Sequence, residues 1–131
     1  MILRSILSSV FAVFLCLTAA LADNHKTIID AAQAKEMHDR GVLFVDVRSK
    51  SSFERGHIPG ALSIDVRGEN FVAEFTEAVK KDQDVVIYCR GINCTRSGEA
   101  IWLVYPLGYD NLYHMKVGLP GWKEAGFPVK E

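Results

Sequence analysis

This sequence of 131 residues has few cysteines, no surplus charge of one sign, and no long apolar run beyond its N-terminus. Its three cysteines form no CxxC pair and no CxxCH motif, so neither a zinc site nor covalent haem is expected. The 15 basic residues face 16 acidic ones, and this balance argues against nucleic acid as the main partner. No block of Lys and Arg indicates binding to a membrane surface.

The apolar residues at the start predict an export signal. Met1–Arg4 is short and cationic, Ile6–Leu17 is almost wholly apolar, and Ala20-Leu21-Ala22 is typical of a signal peptidase site. We therefore expect residues 1–22 to be a secretory signal peptide, cleaved after Ala22 and too short to remain as a membrane span. Residues 23–131 would then form one exported domain, periplasmic or secreted, with two of the three cysteines.

Strand and helix patterns alternate along the rest of the chain. Asp30 and Gln33 have the spacing of a capping box, and Gly41 is placed to end the first helix. We predict an α/β domain whose mainly parallel central sheet carries helices on both faces. The predicted helices span residues 31–40, 51–55, 69–81, 97–105 and 120–125, and the strands span 42–47, 61–64, 84–88 and 112–115.

Two helical patterns also make predictions about burial. Phe71, Val72, Phe75 and Val79 fall on one face of the helix predicted over 69–81, so that face is expected to pack on the sheet. Trp122 is expected to anchor the core near the C-terminus, since a large aromatic side chain buries much apolar surface.

The most informative stretch is residues 85–97, where an apolar strand ends at Cys89. A short loop with a glycine, a second cysteine and two arginines follows, and a helix is predicted from Ser97. Ligands of parallel sheets bind at the carboxyl ends of the strands. Loop amides, arginines and a helix N-terminus favour a thiolate and the anions that react with it. The alternative is that Cys89 is a buried structural thiol.

Four segments in the same order resemble the rhodanese family. Asp46-Val47-Arg48 is similar to its DVR at a strand end, and Phe53 with Gly56-His57-Ile58-Pro59-Gly60-Ala61 is similar to its F-x-x-GHIPGA turn. Tyr88-Cys89 and the following loop resemble its active-site loop. The closing stretch from Gly108-Tyr109 through Gly118 and Trp122 to Ala125-Gly126-Phe127-Pro128-Val129 matches as well.

The resemblance implies a single-domain sulfurtransferase that needs no metal and no organic cofactor. Cys89 would take a sulfane sulfur as a persulfide, from a small donor such as thiosulfate or from a protein persulfide. It would pass that sulfur to a thiophilic acceptor such as cyanide or a thiol. The anion-binding loop implied by the resemblance comprises Arg90, Gly91, Ile92, Asn93, Thr95, Arg96 and Ser97. Asp46 and Arg48 are expected to form a structural ion pair near the site, and His57 to have a structural role in its turn.

The sequence departs from the family pattern in three places. Six residues separate Cys89 from Arg96, which is longer than the family's usual spacing and predicts a differently shaped cradle. Cys94 is an extra thiol within that loop. It would resolve a persulfide on Cys89, brace the loop as a disulfide, or itself be the nucleophile. Ser52 stands where the family has an acidic residue, so Arg48 needs another acceptor, either Glu54 or a backbone carbonyl.

Three other functions remain open from the sequence. The first is a thiol-disulfide redox protein that uses Cys89 and Cys94. The second is a non-catalytic sulfur carrier or binding module. The third is an anion hydrolase or reductase of the phosphatase or arsenate type, which Tyr88 and the loop spacing fit least well.

Overall fold

A computed structural model describes residues 26–131 of the chain. The predicted signal peptide, its cleavage site and Cys16 lie outside these residues. Among residues 26–131, no helix is long and apolar enough to span a membrane. The strands are β1 Thr27–Ile29, β2 Leu43–Asp46, β3 Leu62–Ser63, β4 Val85–Tyr88 and β5 Leu112–Met115. The helices are α1 Ala31–Asp39, α2 Lys50–Arg55, α3 Phe71–Ala78, α4 Arg96–Val104 and α5 Gly118–Glu124, with a 3₁₀ turn at Tyr105–Leu107.

The five strands form one sheet in the order β1-β5-β4-β2-β3, and every neighbouring pair is parallel. This confirms the predicted fold class. β4 lies at the centre with all four residues buried, which its continuous apolar sequence predicts for a strand covered on both faces. Asp46, Tyr88 and Met115 are aligned in register, so the carboxyl ends of β2, β4 and β5 meet at one edge.

Helices cover both faces of the sheet. On one face, α3 and α4 bury Phe75 and Ile101 against β4 and its neighbours. On the other face, α1 and α5 bury Met37 and Trp122. Trp122 is fully buried and its Nε1 donates a hydrogen bond to the Pro128 carbonyl at 2.8 Å, so the predicted core anchor is confirmed. Each large side chain removed from water in this way stabilises the fold by about 1.5–3 kcal/mol.

The local signals at α1 are also confirmed. The Asp30 carboxylate accepts from the Gln33 amide at 2.7 Å, and the Gln33 side chain accepts from the Asp30 amide at 2.9 Å. Gly41 follows the helix with a φ of 82°, the left-handed conformation that glycine adopts without a Cβ penalty.

Apart from shifts of one or two residues at element ends, two elements and the burial of one residue differ from the prediction. β1 was not predicted, because it has three residues of which only Ile29 is buried. α3 is shorter than residues 69–81, since Val79 has an extended backbone and enters the core from beyond the helix end. Val72 is 39% exposed rather than packed on the sheet with Phe71 and Phe75.

Candidate active site

Cys89 lies directly after β4, at the carboxyl edge of the sheet where the sequence placed it. It is 1% exposed, and it packs against the apolar side chains under α3 and α4. Its carbonyl accepts a hydrogen bond from the Leu119 amide at 3.0 Å, which ties the start of the loop to the segment after β5. The backbone that carries the sulfur is therefore held in place at the end of the most buried strand.

In the structure Cys89 forms a disulfide with Cys94. The loop turns tightly between them, because the Cys94 amide donates to the Gly91 carbonyl at 2.9 Å and Gly91 has a φ of 148°. Cys94 is half-buried, so it is the more exposed cysteine of the pair. The structure thus records the oxidised form of the loop. The expectation that Cys89 is anionic concerns the reduced form and stays a prediction.

A pocket of about 90 Å³ opens beside Cys89, and three arginines contribute to its wall. The lining residues are Arg48, Ser49, Ser52, Cys89, Arg90 and Arg96. The first turn of α4 faces this part of the loop without a side-chain cap, because the Thr95 hydroxyl donates instead to Glu99 Oε1 at 3.0 Å. Uncapped amides and the helix dipole favour an anion there.

The charge of Arg48 is largely neutralised by Asp46. Arg48 Nη2 lies 2.6 Å from Asp46 Oδ2, and its Nε lies 2.9 Å from Asp46 Oδ1. Nη2 also donates to the Gly56 carbonyl at 2.7 Å, so a backbone carbonyl rather than Glu54 is the further acceptor. Burial opposes the charge of Arg48, but the hydrogen bonds and charge of Asp46 outweigh it, so the pKa of Arg48 is raised.

Arg90 and Arg96 are the arginines of the pocket with freer charges. Arg90 is exposed, whereas Arg96 is half-buried as the first residue of α4. Arg96 Nη1 lies 3.9 Å from Asp65 Oδ1, which is a distant contact between partly exposed groups and a weak one. Both guanidinium groups are therefore available to a small anion beside Cys89.

The turn from Gly56 to Ala61 contacts the end of β4 just before Cys89. The Ile58 amide donates to the Tyr88 hydroxyl at 3.1 Å, so the residue before Cys89 is fixed to this turn. His57 stacks on Phe53 with ring centroids 3.6 Å apart, and its Nδ1 lies 2.8 Å from the Phe53 carbonyl. His57 does not line the pocket beside Cys89.

The tip of the loop lines a second pocket of about 220 Å³ on the Cys94 side. Its lining residues are Arg90, Gly91, Ile92, Asn93 and Cys94. Ile92 is 63% exposed and Asn93 is also exposed, so their side chains belong to this outer pocket rather than to the pocket at Cys89.

The Ser97 side chain turns away from the pocket beside Cys89 and into the core. It is buried, and its Oγ lies 2.7 Å from Nε2 of His114, a buried residue of β5. Of Ser97, the backbone amide can therefore face an anion in the pocket, but the hydroxyl cannot. Sequence reasoning missed His114, although a histidine inside the apolar run Leu112–Met115 was a visible signal. Burial, with smaller effects of Lys26 and Lys116, lowers the pKa of His114 to about 4.

Gly118 packs closely against the backbone of the loop at Cys89 and Gly91. An added Cβ at this position would lie 2.5 Å from the Cys89 carbonyl oxygen and 2.6 Å from the Gly91 nitrogen. Its φ of 62° also lies in the left-handed region. Among residues 26–131 there is no cluster of three His, Cys, Asp or Glu that could hold a metal ion.

Most of the described chain matches one protein family. A family model described as "Rhodanese-like domain" matches residues 30–125. The chain is 31% identical over 93 residues to the thiosulfate sulfurtransferase GlpE of Pseudomonas aeruginosa, covering 71% of this chain and 80% of that protein. It is similar in structure to the Alr3790 protein of Anabaena, with a TM-score of 0.70, 28% identity, and coverage of 78% and 90% of the two chains.

The same fold also occurs as part of larger proteins. The chain is 33% identical over 90 residues to the HTH-type transcriptional regulator Rv0324 of Mycobacterium tuberculosis. That match covers 69% of this chain but only 38% of the regulator. The similarity is therefore confined to one part of the regulator.

Proposed function

The chain belongs to the rhodanese-like domain family, and on that premise we propose that it is a sulfurtransferase with Cys89 as its nucleophile. One observation carries the proposal. Cys89 directly follows the central strand and lines a pocket with Arg48, Arg90 and Arg96, beside a helix N-terminus that no side chain caps. The similarity to a protein named as a thiosulfate sulfurtransferase supports the same activity.

The proposed reaction begins from the reduced loop. The Cys89 thiolate attacks the outer sulfur of thiosulfate, the S–S bond of the donor breaks, and its electron pair leaves with sulfite. Cys89 then holds the sulfur as a persulfide anion, so charge is conserved. Arg90 and Arg96 attract the dianionic donor, and the uncapped amides of α4 stabilise charge on the outer sulfur. An acceptor such as cyanide attacks that sulfur and regenerates the thiolate.

A thiocyanate assay with two matched variants tests this proposal. The reduced protein is incubated with thiosulfate and cyanide, and thiocyanate is measured for the parent, Cys89→Ser and Cys94→Ser. We expect the parent and Cys94→Ser to form thiocyanate and Cys89→Ser to form none. Activity that survives in Cys89→Ser and vanishes in Cys94→Ser would make Cys94 the nucleophile and overturn the assignment.

The disulfide favours a second candidate function, a thiol-disulfide redox protein that uses the same two sulfurs. A protein of that kind would oxidise or reduce a partner dithiol at a rate that depends on both cysteines, and it would form no thiocyanate. The same assay, run beside a dithiol oxidation assay, separates the two functions.

The place of action is proposed from the N-terminal residues alone. The cationic start, the apolar run and Ala20-Leu21-Ala22 support export with cleavage after Ala22. Fractionation of cells that express the full chain, followed by N-terminal sequencing, tests this. A mature N-terminus at Asp23 outside the cytoplasm is expected, and an intact Met1 in the cytosolic fraction would contradict it.

A further inference from the structure

The two cysteines of the active-site loop line different pockets. Cys89 lines the smaller pocket with three arginines, whereas Cys94 lines the larger pocket with the exposed tip of the loop. Arg90 lines both pockets, so this loop separates one pocket from the other. This arrangement gives the two thiols different access to solvent and different charge around them.

We propose that Cys94 discharges the persulfide on Cys89 as free sulfide, leaving the Cys89–Cys94 disulfide found in the structure. This activity rests on the proposed function, because it begins from the same persulfide. It differs in its product, since the sulfane sulfur leaves as hydrosulfide rather than being handed to cyanide or another acceptor. The loop would thereby reduce sulfane sulfur with the two electrons of its own thiol pair.

The step balances without an outside reagent. The Cys94 thiol passes its proton to the outer sulfur of the persulfide anion as its own sulfur attacks Sγ of Cys89. The bond between Sγ and the outer sulfur breaks, and the outer sulfur leaves with the electron pair as hydrosulfide. Two thiol sulfurs are oxidised to the disulfide while one sulfane sulfur is reduced to sulfide. One negative charge enters on the persulfide anion and one leaves on the hydrosulfide.

The geometry supports attack at the inner sulfur. The disulfide shows that the loop brings Cys94 Sγ onto Cys89 Sγ, with the Gly91–Cys94 turn hydrogen-bonded and the Cys89 backbone held by Leu119. Cys94 is already in contact with Sγ of Cys89, whereas an external thiol must first enter the small pocket that Cys89 lines. The leaving hydrosulfide is released beside Arg90 and Arg96, whose charges stabilise an anionic leaving group.

The larger pocket provides the route for regeneration. A dithiol reductant attacks the sulfur of the more exposed cysteine, Cys94, and Cys89 departs as a thiolate among the arginines. Its second thiol then completes the exchange, so the reductant leaves as a disulfide and the protein as a dithiol. The arginines thus assist both the release of sulfide and the recovery of the nucleophile.

A single-turnover experiment without reductant or cyanide tests the proposal. The exported form of the protein is reduced, freed of reductant under anaerobic conditions and mixed with one equivalent of thiosulfate. Sulfide, free thiols and intact mass are then measured. For the parent we expect about one equivalent of sulfide, loss of both free thiols, and no retained sulfur atom.

Cys94→Ser and Cys89→Ser are the matched controls. Cys94→Ser is expected to retain one added sulfur atom and to release no sulfide until an external thiol is added. Cys89→Ser is expected to show neither change. The reduced parent also lacks the disulfide, so the variants differ from it by one sulfur and not by a lost crosslink. Cys94→Ala repeats the test with a side chain that forms no hydrogen bond.

The outcomes separate this inference from the proposed function. A parent that keeps the added sulfur as stably as Cys94→Ser would overturn sulfide release and leave the sulfurtransferase intact. An added sulfur that the parent retains on Cys94 would overturn it too, since the persulfide would then have been passed on rather than discharged. Failure of both Cys94→Ser and the parent to react with thiosulfate would overturn the inference together with the proposed function.

Discussion

Two loops at the carboxyl edge of the sheet differ in how their positive charges are balanced. The β2 loop, residues 47–49, holds the buried Arg48 with Asp46 and with the Gly56 carbonyl, all within 3.1 Å. The β4 loop, residues 89–95, has a hydrogen-bonded base, but its Arg90 is exposed and the adjoining Arg96 has one contact at 3.9 Å. The first loop has its charge balanced within the protein, whereas the second presents positive charge to a pocket.

Arg48, whose charge is balanced by Asp46, therefore lines the same pocket as Arg90 and Arg96, whose charges are freer. Asp46 is completely buried and neutralises Arg48, so Arg48 acts mainly as a wall of the pocket. The positive field beside Cys89 therefore comes from Arg90, Arg96 and the start of α4. Substitutions that break the pair of Asp46 and Arg48 should affect stability, and substitutions of Arg90 or Arg96 should affect reaction with anions.

The largest effect is expected for Asp46→Ala. It leaves the buried guanidinium of Arg48 without its carboxylate, which should lower the free energy of unfolding by about 3–5 kcal/mol. Asp65→Ala is the matched control, because Asp65 is partly exposed and lies 3.9 Å from Arg96, and it should cost less than about 1 kcal/mol. Urea unfolding of the reduced proteins measures both. Equal losses would mean that the two ion pairs do not differ as described.

Gly118→Ala should have the next largest effect. The new Cβ would meet the backbone of Cys89 and Gly91 at 2.5–2.9 Å, at a φ of 62°. We expect a loss of roughly 2–4 kcal/mol in unfolding free energy, with reduced thiocyanate formation because the base of the β4 loop must shift.

Gly98→Ala is the control for this prediction. Gly98 lies within α4, and a Cβ there would have no neighbour within 4 Å. Removing a helical glycine should stabilise the protein by about 0.5–1 kcal/mol. A Gly118→Ala protein as stable as Gly98→Ala would contradict the close packing behind Cys89.

Arg96→Gln should impair the reaction with little effect on folding. Loss of the positive charge beside Cys89 is expected to lower kcat/KM for thiosulfate about tenfold, which corresponds to about 1.4 kcal/mol. Arg40→Gln removes an exposed arginine just after α1 and should leave kcat/KM unchanged. The thiocyanate assay at low and high salt measures both, and equal rates for the two variants would remove Arg96 from the anion site.

A further prediction concerns stability in acid. The pKa of His114 is lowered from 6.5 to about 4 by burial, so the unfolded chain binds more protons than the folded one between these values. The contribution of neutral His114 is therefore fully present above pH 6.5 and is lost as the pH falls towards 4. His114→Gln should lose less stability than the parent across this window, as measured by urea unfolding. Parallel curves for the two proteins would contradict the burial effect.

Local sequence patterns predicted much of the scaffold and the position of Cys89. The runs that form β2, β4 and β5 are apolar and end at polar or reactive residues, and Asp30 with Gln33 is a complete local capping signal. Because Cys89 follows the central strand directly, its place at the carboxyl edge follows from the alternation of strand and helix.

The features that were missed depend on contacts distant in sequence. The hydrogen bond between Ser97 and His114 joins residues 17 positions apart, and no local pattern predicts it. Whether Arg48 would bind Glu54 or a carbonyl was open because either lies nearby in sequence, and only the folded turn brings the Gly56 oxygen to it. Val72 lies about 100° around α3 from Phe71, and it is 39% exposed while Phe71 and Phe75 are buried.

The most direct test of the central claim is to locate the transferred sulfur. Reduced Cys94→Ser protein is treated with thiosulfate isotopically labelled in its outer sulfur, and the label is mapped among its peptides without a reductant. The account predicts that the label is found on the peptide that contains Cys89 and that cyanide removes it as thiocyanate. A protein that remains reduced and folded but carries no label on that peptide would contradict the claim that Cys89 is a sulfur-accepting nucleophile.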